Sequence, residues 1–274
     1  MNKFVHNRKI ATIKRGEYRK ALYHYLYAWL EWQLSWKGVS SALRIRSLRG
    51  KHRGERCFII GNGPSLNNMD LSFLKKEITF GLNRIYLLFP RIGFSTSYYV
   101  SINQLVIEQF AHDLEALQMP KFIGWRSRDK IRFSPQTMFL RGVYDGSRGF
   151  SKNPAQYIWE GATVTYVAMQ LASYLGFQQV ILVGVDHSFS TKGKPHKTVR
   201  AEKDDNDHFS PEYFGKGTYW QLPDLEASEK SYWTAKEHFE QKGCEILDAT
   251  IGGKLQVFQK VNYYELIKKC KQVG

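Results

Sequence analysis

"GATVTYVAMQLASYLGFQQVILVGVDHSF", residues 161–189, decides the fold. Val164, Val167, Ala168, Leu171, Ala172 and Leu175 place apolar groups almost all the way round one helix. Gly176 supplies a left-handed stop, and "QVILVGVD" (179–186) follows at once as a continuous apolar strand. A helix and a strand that are apolar on every side belong inside a layered domain. Six other short apolar runs read as strands, at 56–61, 78–83, 97–102, 121–125, 137–141 and 244–249, and helical patterns lie at 103–117, 226–242 and 262–272. Strands that are continuously apolar, joined by helices, predict a mostly parallel sheet covered on both faces. This is a doubly wound α/β domain, whose ligands sit beyond the carboxyl ends of the strands.

The rest of the composition agrees with a packed domain preceded by something different. With 274 residues, 43% hydrophobic and 15% aromatic, the chain can bury a sizeable core. Cys57, Cys244 and Cys270 lie far apart with no Cys-x-x-Cys spacing, so neither a zinc knuckle nor a disulfide framework is indicated and a reducing, cytosolic setting is expected. Residues 1–50 hold eleven Lys/Arg against Glu17 and Glu31, a net +9 of the chain's +15. The same stretch, 17–49, is free of proline and sets Leu22, Tyr25, Leu26, Trp29, Trp32 and Trp36 at steps of three or four, the spacing of one helix face. Two readings stand for this helix: an anchor on an anionic membrane surface, or a face packed on the domain or on a second subunit. The basic residues precede the domain and no nucleic-acid-binding motif accompanies them, so nucleic acid is not expected as a partner. We expect a helical segment over 1–53 and one catalytic-type domain over 54–274.

Three places in the domain carry polar chemistry. "CFIIGNGPSLNNMD" (57–70) puts Gly61, Asn62, Gly63, Pro64 and Ser65 directly after a buried strand. It lacks the Gly-Lys-Ser/Thr ending of a phosphate loop and the third glycine of a dinucleotide fingerprint, so its spacing alone fits a tight turn as well as a ligand cradle. Gly161, Thr163 and Thr165 open the central helix, where unpaired N–H groups favour an anion, or where the threonines simply cap. Asp186, His187 and Ser188 end the central strand; Asp186 there suits a ribose or sugar hydroxyl, or the capping of the next loop. A long polar stretch, 189–223, follows and reads as a lid. It contains "DDND" (204–207), in which Asp205 and Asp207 have the spacing of a metal-holding pair but sit in what reads as a solvated charge run.

"IIGNGPSL" (59–66), "GLNR" (81–84), residues 163–189 and "DHFSPEYFG" (207–215) together resemble the MptE-like proteins and the flagellin-modifying Maf enzymes, which in turn resemble the bacterial sialyltransferases of the Cst type, glycosyltransferase family 42. The resemblance covers about residues 55–265. It implies a GT-A-like or Rossmann-like core in which Asn62, Gly63, Ser65 and Asn83 lie against a CMP-sugar and Thr163, with Gly161 and Thr165, contacts the nucleotide. Val164 stands where those enzymes have serine. It also implies a lid histidine as general base and two lid tyrosines on the leaving phosphate. His208, Tyr213 and Tyr219 fit those roles, with His187 and His196 as alternative bases.

What the resemblance implies is a glycosyltransferase that passes a sialic-acid-like nonulosonate from a CMP donor to a cell-surface glycan or protein acceptor. No metal or other cofactor is essential to that reaction, because CMP leaves as a monophosphate. A second implication is an MptE-like pyrophosphokinase using ATP and Mg²⁺ on a hydroxymethylpterin, which would employ Asp186, Asp205 and Asp207. The expected location is the cytoplasm, at the inner membrane face if the N-terminal helix binds lipid, and a homo-oligomer is left open.

Overall fold

The structure is a computed structural model and describes residues 26–143 and 149–271. The chain divides into two compact units, Met1–Val39 and Ser40–Gly274. In the first, residues 26–34 are helical (α1), and a second helix, α2 (Trp36–Ser47), begins after a break at Ser35. Leu22 and Tyr25 of the expected stripe lie outside the described residues. Trp32 is 2% exposed, whereas Trp29 and Trp36 are exposed, so the three tryptophans do not share one face. The break at Ser35 is what a single continuous helical repeat misses.

The second unit is built on a sheet of eight strands. In chain order these are β1 (Arg56–Ile60), β2 (Thr79–Leu82), β3 (Tyr98–Ser101), β4 (Lys121–Gly124), β5 (Thr137–Leu140), β8 (Gln179–Val183), β11 (Glu245–Asp248) and β12 (Gln259–Lys260). Two small sheets stand apart from it: β6 (Gly142–Val143) beside β7 (Ile158–Trp159), and β9 (Thr198–Arg200) paired antiparallel with β10 (Tyr219–Gln221). The large sheet runs β12-β11-β8-β1-β2-β3-β4-β5 with every neighbouring pair parallel. Six of its strands, from β2 to β5 and in β1 and β8, are wholly or almost wholly buried, which is why their sequences are apolar without alternation.

The helices flank this sheet. They are α3 (Phe89–Ile92), α4 (Gln104–Gln109), α5 (Ala111–Ala116), α6 (Val164–Leu175), α7 (Leu225–Glu240) and α8 (Tyr263–Lys271). The helical pattern expected over 103–117 is two helices, because Phe110 leaves helical geometry (φ −124°, ψ 27°) between α4 and α5. Helix α6 is the buried central helix: ten of its twelve residues are buried, and Gly176 ends it at φ 97°. Its last carbonyls are taken by N–H groups from the preceding loop, Gly50 to Tyr174 and His52 to Leu175.

Residues 40–53, which the sequence places with the N-terminal segment, belong to this unit. Ile45 is fully buried, Ser41 Oγ accepts from Phe139 N (2.9 Å), and the Arg44 guanidinium donates to Ser134 O (2.6 Å) and Thr137 O (2.9 Å). The C-terminal half of α2 therefore lies along the outer edge of β5.

Strand β1 sits between β2, which follows it in sequence, and β8, which comes much later. The chain reverses its direction of travel across the sheet at that pair. Loops leaving β1 and β8 must diverge there, and the gap between them is where such sheets hold ligands.

Candidate functional site

Two adjoining hollows open beyond the carboxyl ends of β1, β2 and β8, one of about 650 Å³ and one of about 160 Å³. Asn83, Ala162, Thr163, Val164, His208 and Tyr213 border both, so they form one crevice. Gly61, Asn62, Gly63 and Asp186 line its smaller part.

The glycine loop owes its shape to the chain itself. Strand β8 stops at Val183 rather than at 186 because Gly184 turns out of it at φ 68°, and His187 follows at φ 53°. This brings Asp186 back over the start of the 3₁₀ turn Pro64–Asn68. Ser65 gives both its N–H (3.0 Å) and its hydroxyl (2.7 Å) to the two carboxylate oxygens of Asp186. A Cβ at Gly63 would stand 1.8 Å from Asp186 Oδ2, and one at Gly61 would stand 2.2 Å from Gly184 O. The glycines thus admit the neighbouring strand's end, and Ser65, being buried and doubly engaged, is a brace for Asp186. Burial raises the Asp186 pKa, and the bonds from Ser65 oppose that rise. Asn62 is different. Its backbone carbonyl accepts from Phe209 N (2.9 Å), while its side-chain Oδ1 is buried with no hydrogen-bond partner at the wall of the smaller hollow. A buried acceptor without a donor is costly, so this atom is the one in the loop that calls for a ligand hydrogen.

At the mouth of α6, Gly161 and Ala162 both adopt left-handed geometry, φ 57° and 62°. Thr163 caps the helix, its hydroxyl accepting from Thr165 N (3.3 Å) and lying 3.4 Å from Tyr232 Oη. A Cβ at Gly161 would meet the Tyr166 ring at 2.3 Å, so this glycine is required by packing. Capping and anion attraction coexist here: Ala162, Thr163 and Val164 still face both hollows at the positive end of a twelve-residue helix.

Within the stretch 189–223, "DDND" is solvated only at Asp204 and Asn206, whereas Asp205 and Asp207 turn inward. Asp205 is 7% exposed. Its Oδ1 accepts from Asp207 N (2.8 Å) and His208 N (3.2 Å); its Oδ2 accepts from Phe214 N (3.1 Å) and meets His208 Nδ1 at 2.7 Å. Asp207 accepts from Ser190 N (2.6 Å), Thr191 N (3.3 Å) and Thr191 Oγ1 (2.9 Å). Burial would raise the Asp207 pKa, but the bonds from Ser190 and Thr191 outweigh it and hold the carboxyl below its ordinary range. Neither carboxylate is turned outward, Asp186 is occupied by Ser65, and among the described residues no group of three or more His, Cys, Asp or Glu is placed to hold a metal. Asp205 and Asp207 are thus spent on the loop itself rather than offered to the Mg²⁺ that a pyrophosphokinase implies.

The imidazole of His208 stacks on Tyr213, centroids 3.9 Å apart and planes 7° from parallel, with Phe189, Phe214 and Trp220 at its edges. Tyr213 is 1% exposed, its phenol pKa pushed up by burial, and its hydroxyl accepts a long bond from Arg84 N (3.5 Å). Arg84 fastens the loop from below: its guanidinium donates to the carbonyls of Glu212 (2.6 Å) and Tyr213 and lies 3.6 Å over the Phe110 ring. Because a carboxylate only accepts, Asp205 fixes the His208 proton on Nδ1 and leaves Nε2 as the basic nitrogen.

Asn83, at φ 48°, accepts from Ser101 Oγ (3.1 Å) and reaches the crevice between the loop and the Tyr213 hydroxyl. Tyr219 does not come to the crevice. In β10 the side chains alternate, so Trp220 turns inward (9% exposed) and Tyr219 outward (48%), its backbone exchanging bonds with the Gln109 side chain (2.7 and 2.8 Å). His187 lines the smaller hollow 3.7 Å from Glu229, its pKa lowered by burial; His196 lines the larger one 3.3 Å from Asp224. Arg126 and Glu160, paired at 3.7 Å, form part of the larger wall, and burial raises the Glu160 carboxyl against the pull of Arg126. Sequence reasoning overlooks that pair and overlooks the orienting role of Asp205; the three-residue step from Asp205 to His208 is the one signal that would have shown the latter.

The family model described as "6-hydroxymethylpterin diphosphokinase MptE-like" matches residues 37–192. No curated protein matches the sequence. Among solved structures, the Maf glycosyltransferase from Magnetospirillum magneticum AMB-1 is similar with a TM-score of 0.45 and 13% identity, over 85% of this chain and 40% of that one. The chain thus spans well under half of that protein's length.

Proposed function

The chain belongs to the MptE-like family, and from that premise we propose that it is a glycosyltransferase that moves a sugar, of the sialic-acid-like nonulosonate class, from a CMP donor to a hydroxyl on a glycan or protein. The observation that carries this reading is the Asp205–His208 pair stacked on Tyr213 at the wall of the crevice. It is a histidine with one nitrogen committed to a carboxylate and the other basic, the arrangement of a general base for a hydroxyl nucleophile. In the reaction His208 Nε2 takes the acceptor hydroxyl proton, the acceptor oxygen bonds to the anomeric carbon, and the bond from that carbon to the phosphate oxygen breaks. The phosphate charge of departing CMP falls at the first turn of α6, where Ala162, Thr163 and Val164 face the crevice. Asn62 Oδ1 accepts a hydrogen from the donor, and Tyr213 serves as the platform under the base. A monophosphate leaving group makes no demand on Asp205 and Asp207, whose carboxylates are spent on the loop's own N–H groups and on His208, which favours this reading over the pyrophosphokinase that the family description names.

The test has two parts. The unfolding temperature is measured with CMP, CDP, UDP, GDP and ATP, with and without Mg²⁺; cytidine nucleotides stabilise the protein without Mg²⁺ if the reading is right, and stabilisation by ATP with Mg²⁺ alone would establish the pyrophosphokinase instead. His208→Ala is expected to abolish transfer while the response to CMP persists.

A further inference from the structure

Among the described residues, twelve large apolar side chains are exposed, and seven of them lie between Leu26 and Val39. Leu34 is 80% exposed and Trp36 63%. On α1, at about 100° per residue, Leu26, Tyr27, Trp29, Leu30 and Leu34 fall within an arc of about 160°, with Gln33 the one polar residue among them, and the buried Trp32 lies opposite. Among the described residues Leu26, Trp29, Leu30 and Leu34 are thus left exposed, although they are of the kind that other helices bury.

We propose that residues 26–39 seat the protein on the surface of an anionic lipid bilayer. Two observations choose this occupant. The residues that precede the patch, 1–25, carry seven Lys/Arg against Glu17 alone, so an apolar arc and a basic segment adjoin in the chain, the two signals that together hold a helix at a charged interface. The same excess of charge repels a second copy of the segment, which disfavours self-association through this face. The exposed side chains are also of interfacial type: tryptophan and tyrosine with leucine, suited to the boundary between headgroups and chains. Among the described residues no helix is long and apolar enough to cross a membrane, so the arrangement is one of lying on the bilayer.

The test is co-sedimentation of the full chain with phosphatidylcholine vesicles and with vesicles in which part of that lipid is replaced by phosphatidylglycerol. Binding to the anionic vesicles at least about tenfold tighter than to the neutral ones, weakened by high salt, is expected. Leu30→Ser combined with Leu34→Ser should remove that binding and leave both the unfolding temperature and the response to CMP unchanged, which separates this inference from the proposed chemistry. Arg15→Gln, Arg19→Gln and Lys20→Gln together should weaken anionic binding without altering the fold. Failure to bind anionic vesicles, equal binding to both compositions, or a dimer in light scattering that the double serine variant turns into a monomer would each overturn the proposal.

Discussion

Asp205 is a residue whose sequence neighbours point the wrong way. Set in "DDND", it has the spacing of a metal ligand, yet its carboxylate is spent on three backbone N–H groups and on His208 Nδ1 at 2.7 Å. If its work is to fix the imidazole tautomer, Asp205→Asn should lower turnover by between about 10² and 10⁴, the range a general base contributes, with KM and CMP stabilisation little changed. A variant that loses nucleotide binding together with turnover would instead mark Asp205 as a support of the whole loop. Gly63 is the converse case. Its position in a glycine-rich loop suggested room for a ligand, and the room is filled by Asp186. Gly63→Ala places a methyl group 1.8 Å from Asp186 Oδ2 and should cost on the order of 1–3 kcal/mol, read as a fall in the denaturation midpoint even without nucleotide. Ligand contacts and self-contacts demand the same glycine, which is why sequence cannot tell them apart. Asn62 was legible as a polar handle; that its Oδ1 lacks a partner was not, because the groups around it come from distant parts of the chain.

Whole elements were easier to read than the loops between them. Strands buried on both faces and a helix apolar all round announce themselves through composition, and β1, β2, β3, β4, β5, β8, β11 and α6 lie where that pattern places them. The hairpin of β9 and β10 escaped, since three-residue strands rich in polar groups carry no such signal, and with it went the alternation that turns Trp220 in and Tyr219 out. Tyr219→Ala should therefore change turnover and stability by no more than about 0.5 kcal/mol, while Trp220→Ala, which removes a ring stacked on Phe214 and edged against His208, should cost about 2–4 kcal/mol and reduce turnover. Equal effects of the two would mean that the hairpin register is wrong. The loop is also fastened by Asp207, whose carboxyl is held below its unfolded pKa. Its contribution is complete above that value and is lost as the pH falls through the lower, folded one. Asp207→Asn should accordingly flatten the acid limb of the stability curve below about pH 4, where the wild type declines, and leave a deficit at neutral pH.

At the scale of the molecule, an eight-stranded parallel sheet has two edges, and each must be kept from pairing with another chain. One edge is β12, two residues long and ending in Lys260, whose ammonium is tied to Asp248 at 2.7 Å; shortness and charge protect it. The other is β5, four buried residues, and it depends on α2. The sequence reading set residues 40–53 apart from the domain because their basic character matches what precedes them. Charge runs continuously across a boundary that packing places earlier, and a side chain such as Arg44, which reaches two carbonyls some ninety residues away, leaves no local trace. Arg44→Ala removes both bonds and the guanidinium over the Phe133 ring at 4.6 Å, and should destabilise the domain by about 1–3 kcal/mol. Because the loss uncovers the β5 edge rather than opening the core, aggregation on heating should increase by more than the stability loss alone accounts for, while stabilisation by CMP at the far crevice persists. Light scattering during a thermal ramp, compared with a destabilising change in the centre of the sheet such as Ile181→Val in β8, separates the two effects; aggregation that follows stability alone in both variants would deny α2 its role as the cover of that edge.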